Sequence, residues 1–398
     1  MKILLISQNY YPEQFRITDT AEELVFRGHE VTVLTGLPNY PIGKIFKGYK
    51  GKEHRNEVIN GVRVIRCSTV GRRKGILFRF LNYYSFAFSS KRFVKKLGGD
   101  FDVVLVNQLS PVMMANAGIK YKKLFGKKLV LYCLDLWPES LVAGGIKRNS
   151  FIYKHYHKVS EKIYKSADKI LVTSESFKKY FADEFGIKDT VYLPQYAESI
   201  FNPKDCEKIP DGKIDLTFAG NIGKAQKVDT IISAAKILRD EKDLYFHIVG
   251  DGSELENVKK SAEGLTNVFF YGKRPLSEMP SFYKNADAML LTMESDPVLS
   301  YTLPGKYQSY IAAGKPVIGA IDGEAKRVIE KSGAGYCANA EDEKGLAVAV
   351  KKFIAEKNKK ALSENAVKFF EENFAKEKFF TLLESILEEY KTANNKVE

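Results

Sequence analysis

Three turns hold the glycines, and two of them also the lysines, that an anionic ligand needs. The densest segment is SYTLPGKYQSYIAAGKPVIGA, Ser300 to Ala320. There Leu303, Pro304 and Gly305 end a loop, Lys306 to Ala313 reads as a short helix closed by Gly314, and Pro316 to Ala320 reads as a buried strand. Proline and glycine at a helix start leave backbone N–H groups free and Lys306 adds a full charge, together a cradle for a diphosphate. In GNIGKAQK, 220 to 227, Gly220, Asn221 and Gly223 can wrap a phosphate while Lys224 or Lys227 neutralises it. A plain turn with solvated lysines is the alternative for that segment. The third turn, Gly250 in IVGDGSELE, is a tight strand end that gains meaning only beside the other two.

DLWPES, 135 to 140, places Asp135 and Glu139 on either side of Trp137, the one tryptophan. Asp135 suits a hydroxyl of an acceptor or donor sugar. Trp137 can stack on a sugar face or fill the core, and core packing is the expected role. Asn107 and Gln108 end the preceding strand and offer neutral hydrogen bonds.

Neither a G-x-G-x-x-G fingerprint nor a G-x-x-x-x-G-K-[ST] loop occurs, which argues against nicotinamide dehydrogenases and P-loop nucleotidases. Cys67, Cys133, Cys206 and Cys337 lie too far apart for a C-x-x-C metal site and read as ordinary thiols of a reducing compartment. His155 and His157 fall on different faces of a helix, and His29 reads as structural in the turn RGHEVTVLT. No metal site is expected.

These residues must be positioned by alternating strands and helices. The first half offers KILLIS, EVTVLT, VRVIRC, DVVLVN and KLVLYC. The second offers IDLTFAG, LYFHIVG, VFFYG, AMLLTM and PVIGA. Short apolar strands between helices predict doubly wound parallel sheets. A chain of 398 residues is long for one core, so two α/β domains follow, 1–200 and 201–375, facing each other across a cleft. The polar stretch 196–212 reads as the linker, and a last helix, 376–398, is expected to pack back on the first domain. Open parallel sheets bind ligands beyond the carboxyl ends of their strands.

The net charge of +13 is confined to one half. Residues 1–200 carry 33 Lys and Arg against 18 Asp and Glu, whereas 201–398 carry 29 against 31. Such asymmetry predicts an anionic partner for the first domain: nucleic acid, acidic lipid or a phosphorylated acceptor. GRRKGILFRFLNYYSFAFSSKR, 71 to 92, sets Arg72, Arg73 and Lys74 beside Phe78 and Phe80, which suits an anionic membrane surface; a buried packing helix is the alternative. The apolar start is too short for a signal peptide and no stretch approaches a bilayer span, so the expectation is a cytoplasmic protein, peripheral on the inner membrane face.

GNIGKAQ, GDG, VFFYG and LPGKYQSYIAAGKPVI, in this order, resemble the family 4 glycosyltransferases of the GT-B fold. With RGHEV and DLWPE, the chain is most similar to bacterial surface-polysaccharide transferases of the fucosamine and colanic-acid type. The resemblance implies transfer of a sugar, an N-acetylated amino sugar, from a nucleotide-sugar, usually a UDP-sugar. It implies retention of configuration, no cofactor or metal, and a lipid-linked, undecaprenyl-type saccharide acceptor on the first domain rather than nucleic acid. It places the base near Gly272 and Lys273 and the phosphates near Asn221 to Lys224 and Thr302 to Lys306. Two glutamates common in the family fall on Tyr301 and Ser309, so the ribose and sugar contacts must differ. Lys224 and Lys306 are the expected diphosphate charges, and Asp135 a positioning group. Two other readings remain: a nucleotide-sugar epimerase of the same architecture, and a non-catalytic basic membrane adaptor.

Overall fold

Strands in a parallel sheet covered on both faces are buried along their whole length, and the apolar runs of this chain behave so: β1 (Lys2–Ile6), for example, is exposed only at its first residue. The computed structural model describes residues 1–73, 75–143 and 145–394. They form two units, Met1–Leu193 with Phe380–Glu398, and Pro194–Phe379.

In the first unit β1 is followed by α1 (Ile17–Phe26), β2 (Glu30–Thr35), β3 (Asn56–Ile59), β4 (Val62–Arg66) and α2 (Ile76–Phe93). Then come β5 (Val103–Gln108), α3 (Asn116–Phe125), β6 (Lys128–Cys133), α4 (Glu139–Ala143) and α5 (Phe151–Tyr164). The unit's strands close with β7 (Lys169–Val172), α6 (Glu175–Phe185) and β8 (Thr190–Tyr192). The sheet order is β3-β4-β2-β1-β5-β6-β7-β8. All pairs are parallel except β3 with β4, a hairpin whose Asn60 and Gly61 have φ of 49° and 81°. Both turn residues thus take the left-handed region that a two-residue hairpin demands, and Asn-Gly is the pair that enters it most readily.

The second unit runs β9 (Ile214–Ala219), α7 (Val228–Ile237), β10 (Leu244–Val249), α8 (Leu255–Ser261), β11 (Val268–Gly272) and α9 (Met279–Asn285). It continues with β12 (Ala288–Thr292), α10 (Gly305–Ala312), β13 (Val317–Ala320), α11 (Gly323–Ser332), β14 (Gly335–Ala338), α12 (Glu343–Ala355) and α13 (Lys359–Asn373). Its sheet is wholly parallel, in the order β11-β10-β9-β12-β13-β14. Apolar clusters fill both faces: Ile231, Phe246 and Val350 in one, Tyr307, Tyr310 and Ile329 in the other.

Two boundaries differ from the sequence reading. The stretch 196–212 is no free linker, because Ala197, Phe201 and Cys206 are buried in the core of the second unit and Phe201 stacks on Tyr283. The last helix, α14 (Lys376–Asn394), contributes Phe379 to the second unit and its residues from Phe380 onward to the first. There Arg27 lies over the Phe380 ring and His29 meets Glu384 at 2.8 Å, which gives His29 the structural role expected of it.

Candidate functional sites

Neighbouring strands diverge in connection where sheet order reverses, and the crevice beyond their carboxyl ends is open to a ligand. In the second unit that point lies between β9 and β12. Beyond β9 the chain passes through Gly220, whose φ of +146° is one that side chains rarely adopt. A Cβ there would stand 2.7 Å from Cε of Lys306, and one on Gly250, also at +146°, would strike the Gly220 carbonyl. Glycine at both positions lets β9 and β10 end in contact with each other and with Lys306.

Lys306 is the second residue of α10, a helix that no side chain caps. The Tyr307 amide bonds to the Pro304 carbonyl at 2.9 Å, which leaves the amides of Gly305 and Lys306 without intrahelical acceptors, and the helix dipole adds positive potential. The lysine runs back over β9, its Nζ 3.9 Å from the centre of the Phe218 ring. Nζ is closed to solvent and has no hydrogen-bond partner. Burial pushes its pKa down to about 7. An unpaired buried cation is costly, so this geometry is one that an anion would complete.

The flanking turn is braced from within. The Gln226 side-chain oxygen accepts from Nδ2 of Asn221 at 2.8 Å and from the Gly223 amide at 3.2 Å, and Thr292 Oγ1 donates to the Gln226 carbonyl at 2.6 Å. Lys224 is largely exposed and pairs loosely with Glu294 at 3.6 Å, while Lys227 pairs with Glu341 at 2.9 Å. Of the candidate cations, only Lys306 is held unpartnered against the β9 turn. Tyr310 clamps the end of β9, its hydroxyl donating to the Ala219 carbonyl at 3.0 Å.

Around the start of α10, Thr302 forms the turn before the helix, its amide bonding to Leu299 at 2.9 Å, and Pro304 is the N-cap. Leu303 is buried in the unit's core, so packing accounts for its side chain. Ser309 faces a carboxylate: its hydroxyl donates to Oε2 of Glu198 at 3.0 Å. The sequence reading took Ser309 for a ligand contact and missed Glu198, which comes from 111 residues upstream. At β11 the Gly272 carbonyl accepts from Gly250 at 2.9 Å, and Lys273 is exposed. Lys315 of the same motif is structural, its Nζ capping α9 through the Ala286 carbonyl at 2.8 Å.

In the first unit the order reverses at β1 and β5. A cavity of about 380 Å³ opens beyond these strands and β6, with Gln8, Ser110, Asp135 and Trp137 in its wall. Asn39, Arg72, Arg79 and Tyr83 also line it. Asp135 is held by the hydroxyls of Ser110 and Ser140, the latter at 3.0 Å, and burial raises its pKa above the usual carboxylate range. The Trp137 Nε1 and the Gln8 Oε1 are buried without partners. Amide, carboxyl and indole groups beside aromatic faces match the hydroxyls and apolar faces of a saccharide. Arg72 lies with its guanidinium 5.6 Å from the Tyr83 ring.

Other candidates are placed elsewhere. Glu139 is fully buried and spent on Arg148 at 2.7 Å, Tyr153 at 2.6 Å and Tyr180 at 3.0 Å, so it is a core anchor rather than a sugar contact. Gln108 is buried too and braces the turn through the carbonyls of Leu109 and Asp135. Asn107 is buried 3.4 Å from Ser7 Oγ. Phe80 lines the cavity and stacks on Tyr156, and Arg72 also faces the cavity, so neither belongs to a membrane face. Arg73 lies over the Phe78 ring at 5.4 Å, and Lys74 lies outside the described residues. Among the described residues, the large apolar side chains that α2 exposes are Leu81, Tyr84 and Phe88, spaced along one face. Among the described residues no helix is long and apolar enough to cross a membrane, and no three His, Cys, Asp or Glu side chains are grouped to hold a metal ion.

Two α/β units, one sheet wholly parallel and the other parallel but for its β3–β4 hairpin, have the architecture of the GT-B fold. Anabaena HepE, solved in complex with UDP, superposes with a TM-score of 0.73 at 15% identity, covering 98% of this chain and 100% of that one. The model "Glycosyltransferase Family 4" matches residues 15–194 and "Glycosyl transferases group 1" matches 202–369, and the chain belongs to glycosyltransferase family 4. Among its relatives are a probable glycosyltransferase, WbjE, of Pseudomonas aeruginosa, 27% identical over 67% of this chain and 68% of that protein. Another is the putative colanic acid biosynthesis glycosyl transferase WcaI of Escherichia coli K12, 26% identical over 79% of this chain and 82% of that protein.

Proposed function

We propose that the chain transfers a sugar, an N-acetylated amino sugar, from a UDP-sugar to a lipid-linked saccharide in cell-surface polysaccharide synthesis, with retention of configuration and without a metal. The observation that carries the donor half is Lys306, a buried, unpartnered ammonium at an uncapped helix start against Gly220. Breaking the glycosidic bond leaves charge on the diphosphate, and donors fixed in a closed site stabilise it more strongly than water does. In this reading Lys306 and the first amides of α10 meet that charge, so none is asked of a metal. Support for UDP comes from HepE, which is solved with UDP and with UDP-glucose.

The cavity beside Asp135 takes the acceptor saccharide, and Asp135 orients the attacking hydroxyl by accepting its proton in a hydrogen bond. A second saccharide-sized site favours transfer over an epimerase, which handles the donor alone. The face of Leu81, Tyr84 and Phe88 rests on the anionic membrane that carries a lipid-linked acceptor. Calorimetry with UDP-, GDP- and dTDP-sugars tests the reading, with UDP-sugars expected to bind. Absence of binding across the panel would overturn it, and donor turnover without an acceptor would replace it with epimerisation.

A further inference from the structure

A second cavity of the first unit, about 540 Å³, lies between β4 and the C-terminal half of α2 and is separate from the one beside Asp135. Five cationic residues line it: Arg55, Arg63, Arg66, Arg92 and Lys96. No carboxylate does. Arg55 is held in place, its guanidinium donating to the Gly51 carbonyl at 3.2 Å and to Ser68 Oγ at 3.3 Å. Arg63, Arg92 and Lys96 have no hydrogen bond or ion pair among the described residues. Arg66, the fifth, is buried, its guanidinium spent on Glu57 and on the carbonyls of His54 and Tyr11. Like charges gathered around one hollow repel one another, and an anion seated among them adds attractive terms that offset that repulsion.

Beside Asn56, Ser68 and Ser89, the remaining wall is an apolar strip from Ile65, Phe93 and Leu97 to Phe88 at the rim, which is 68% exposed. Phe88 continues the outward face of Leu81 and Tyr84 on α2. A small inorganic anion has no use for that wall, whereas an amphiphile with one phosphate does: its phosphate meets the cations and its first methylenes lie along the phenylalanines. We propose that this cavity binds the headgroup of a single anionic phospholipid, fixing α2 at the bilayer. The proposal rests on the membrane contact put forward above, and adds a saturable lipid site to it.

The test uses the full chain with monomeric dihexanoyl phosphatidylglycerol, the matching phosphatidylcholine and inorganic phosphate, followed by calorimetry. Saturable one-to-one binding of the phosphatidylglycerol alone is expected, with a loss of about a hundredfold in Arg63→Ser/Arg92→Ser/Lys96→Ser. A control of equal charge loss outside the cavity, Lys91→Ser/Lys95→Ser/Lys123→Ser, should bind as the wild type does. Equal losses in both triple variants, equal binding of phosphatidylcholine, or phosphate binding as tight as the lipid's would overturn the headgroup site. Vesicles of phosphatidylglycerol separate the two claims. Vesicle binding retained by the first triple variant leaves the membrane contact and removes the site; short-chain lipid bound without vesicle binding does the reverse.

Discussion

The ammonium of Lys306 stands 3.9 Å above the Phe218 ring with no hydrogen-bond partner, closed to water. The ring face offsets part of the lost hydration, and the rest appears as a pKa lowered by burial to about 7. An unfolded lysine keeps its ordinary value near 10.5. Between about 7 and 10.5 the unfolded chain therefore binds more protons, and the protein gains stability as pH rises through that window. Below about 7 the cost of burial is fully present. Lys306→Met should raise Tm, by the equivalent of a few kcal/mol below pH 7 and by little near pH 10, while UDP affinity falls about a hundredfold. Thermal melts across pH and calorimetry with UDP check both signs. A variant less stable than the wild type at pH 6 would contradict the geometry.

A bound diphosphate would restore the charge on Lys306, so binding of UDP above pH 7 should take up a proton. Calorimetry in two buffers of different ionisation enthalpy measures that uptake directly. It is expected near pH 8 in the wild type and absent in Lys306→Met.

Ser309 and Glu198 form the second relationship that bears on the donor. The family glutamate position holds a serine, and its hydroxyl reaches Glu198 at 3.0 Å, so a carboxylate stands beside α10 although the local sequence has none. Glu198→Gln should weaken UDP-sugar binding about tenfold with little change in Tm, the size of one charge-assisted hydrogen bond. Unchanged affinity would leave Glu198 a partner of Ser309 alone.

How much of this was legible depended on whether the signal was local. The buried strands and the Gly-Lys turns are contiguous in sequence, and β1, β5, β9 and α10 stand where their apolar runs and glycines place them. The hairpin of β3 and β4 was also written locally, in Asn60-Gly61, but β3 is short and half-exposed and lacks an apolar run. Glu198 was illegible because its partner lies 111 residues away. Phe80 and Phe88 look alike in a row of aromatics. Only packing against Tyr156 decides that the first faces a cavity, while nothing covers most of the second. Glu139, beside the tryptophan, reads as chemistry until Tyr153 and Tyr180 are seen to converge on it from other helices.

That convergence makes a prediction of the opposite kind. Glu139 is wholly buried, with Arg148 and two tyrosine hydroxyls as partners. Removing Glu139 strands two buried tyrosine hydroxyls while the half-exposed Arg148 is rehydrated, so Glu139→Ala should cost about 2–4 kcal/mol. Denaturant melts would show it, with UDP affinity unchanged, since the donor residues lie in the other unit. A sugar-binding role predicts the reverse: intact stability and a raised acceptor KM.

Asp135 completes the contrast, since it is a carboxyl buried with neutral partners, the hydroxyls of Ser110 and Ser140 and the amides of Ser110 and Leu136, and a cavity in front of it. Burial is the largest influence on it and raises its pKa, against the hydrogen bonds of Ser110 and Ser140, which favour the ionised form. A group that must be ionised to accept from the acceptor hydroxyl then titrates above the ordinary aspartate range, so the acid limb of kcat/KM should sit higher than that range. Asp135→Asn keeps the shape and removes the charge. It should lower kcat by about 10²–10⁴-fold if the carboxylate takes part in the proton's departure, and flatten the acid limb in either case. A rise confined to acceptor KM, with kcat preserved, would assign Asp135 to holding the sugar. An acid limb that persists in Asp135→Asn would place the titrating group elsewhere, because the one carboxyl lining this cavity would no longer be available to titrate.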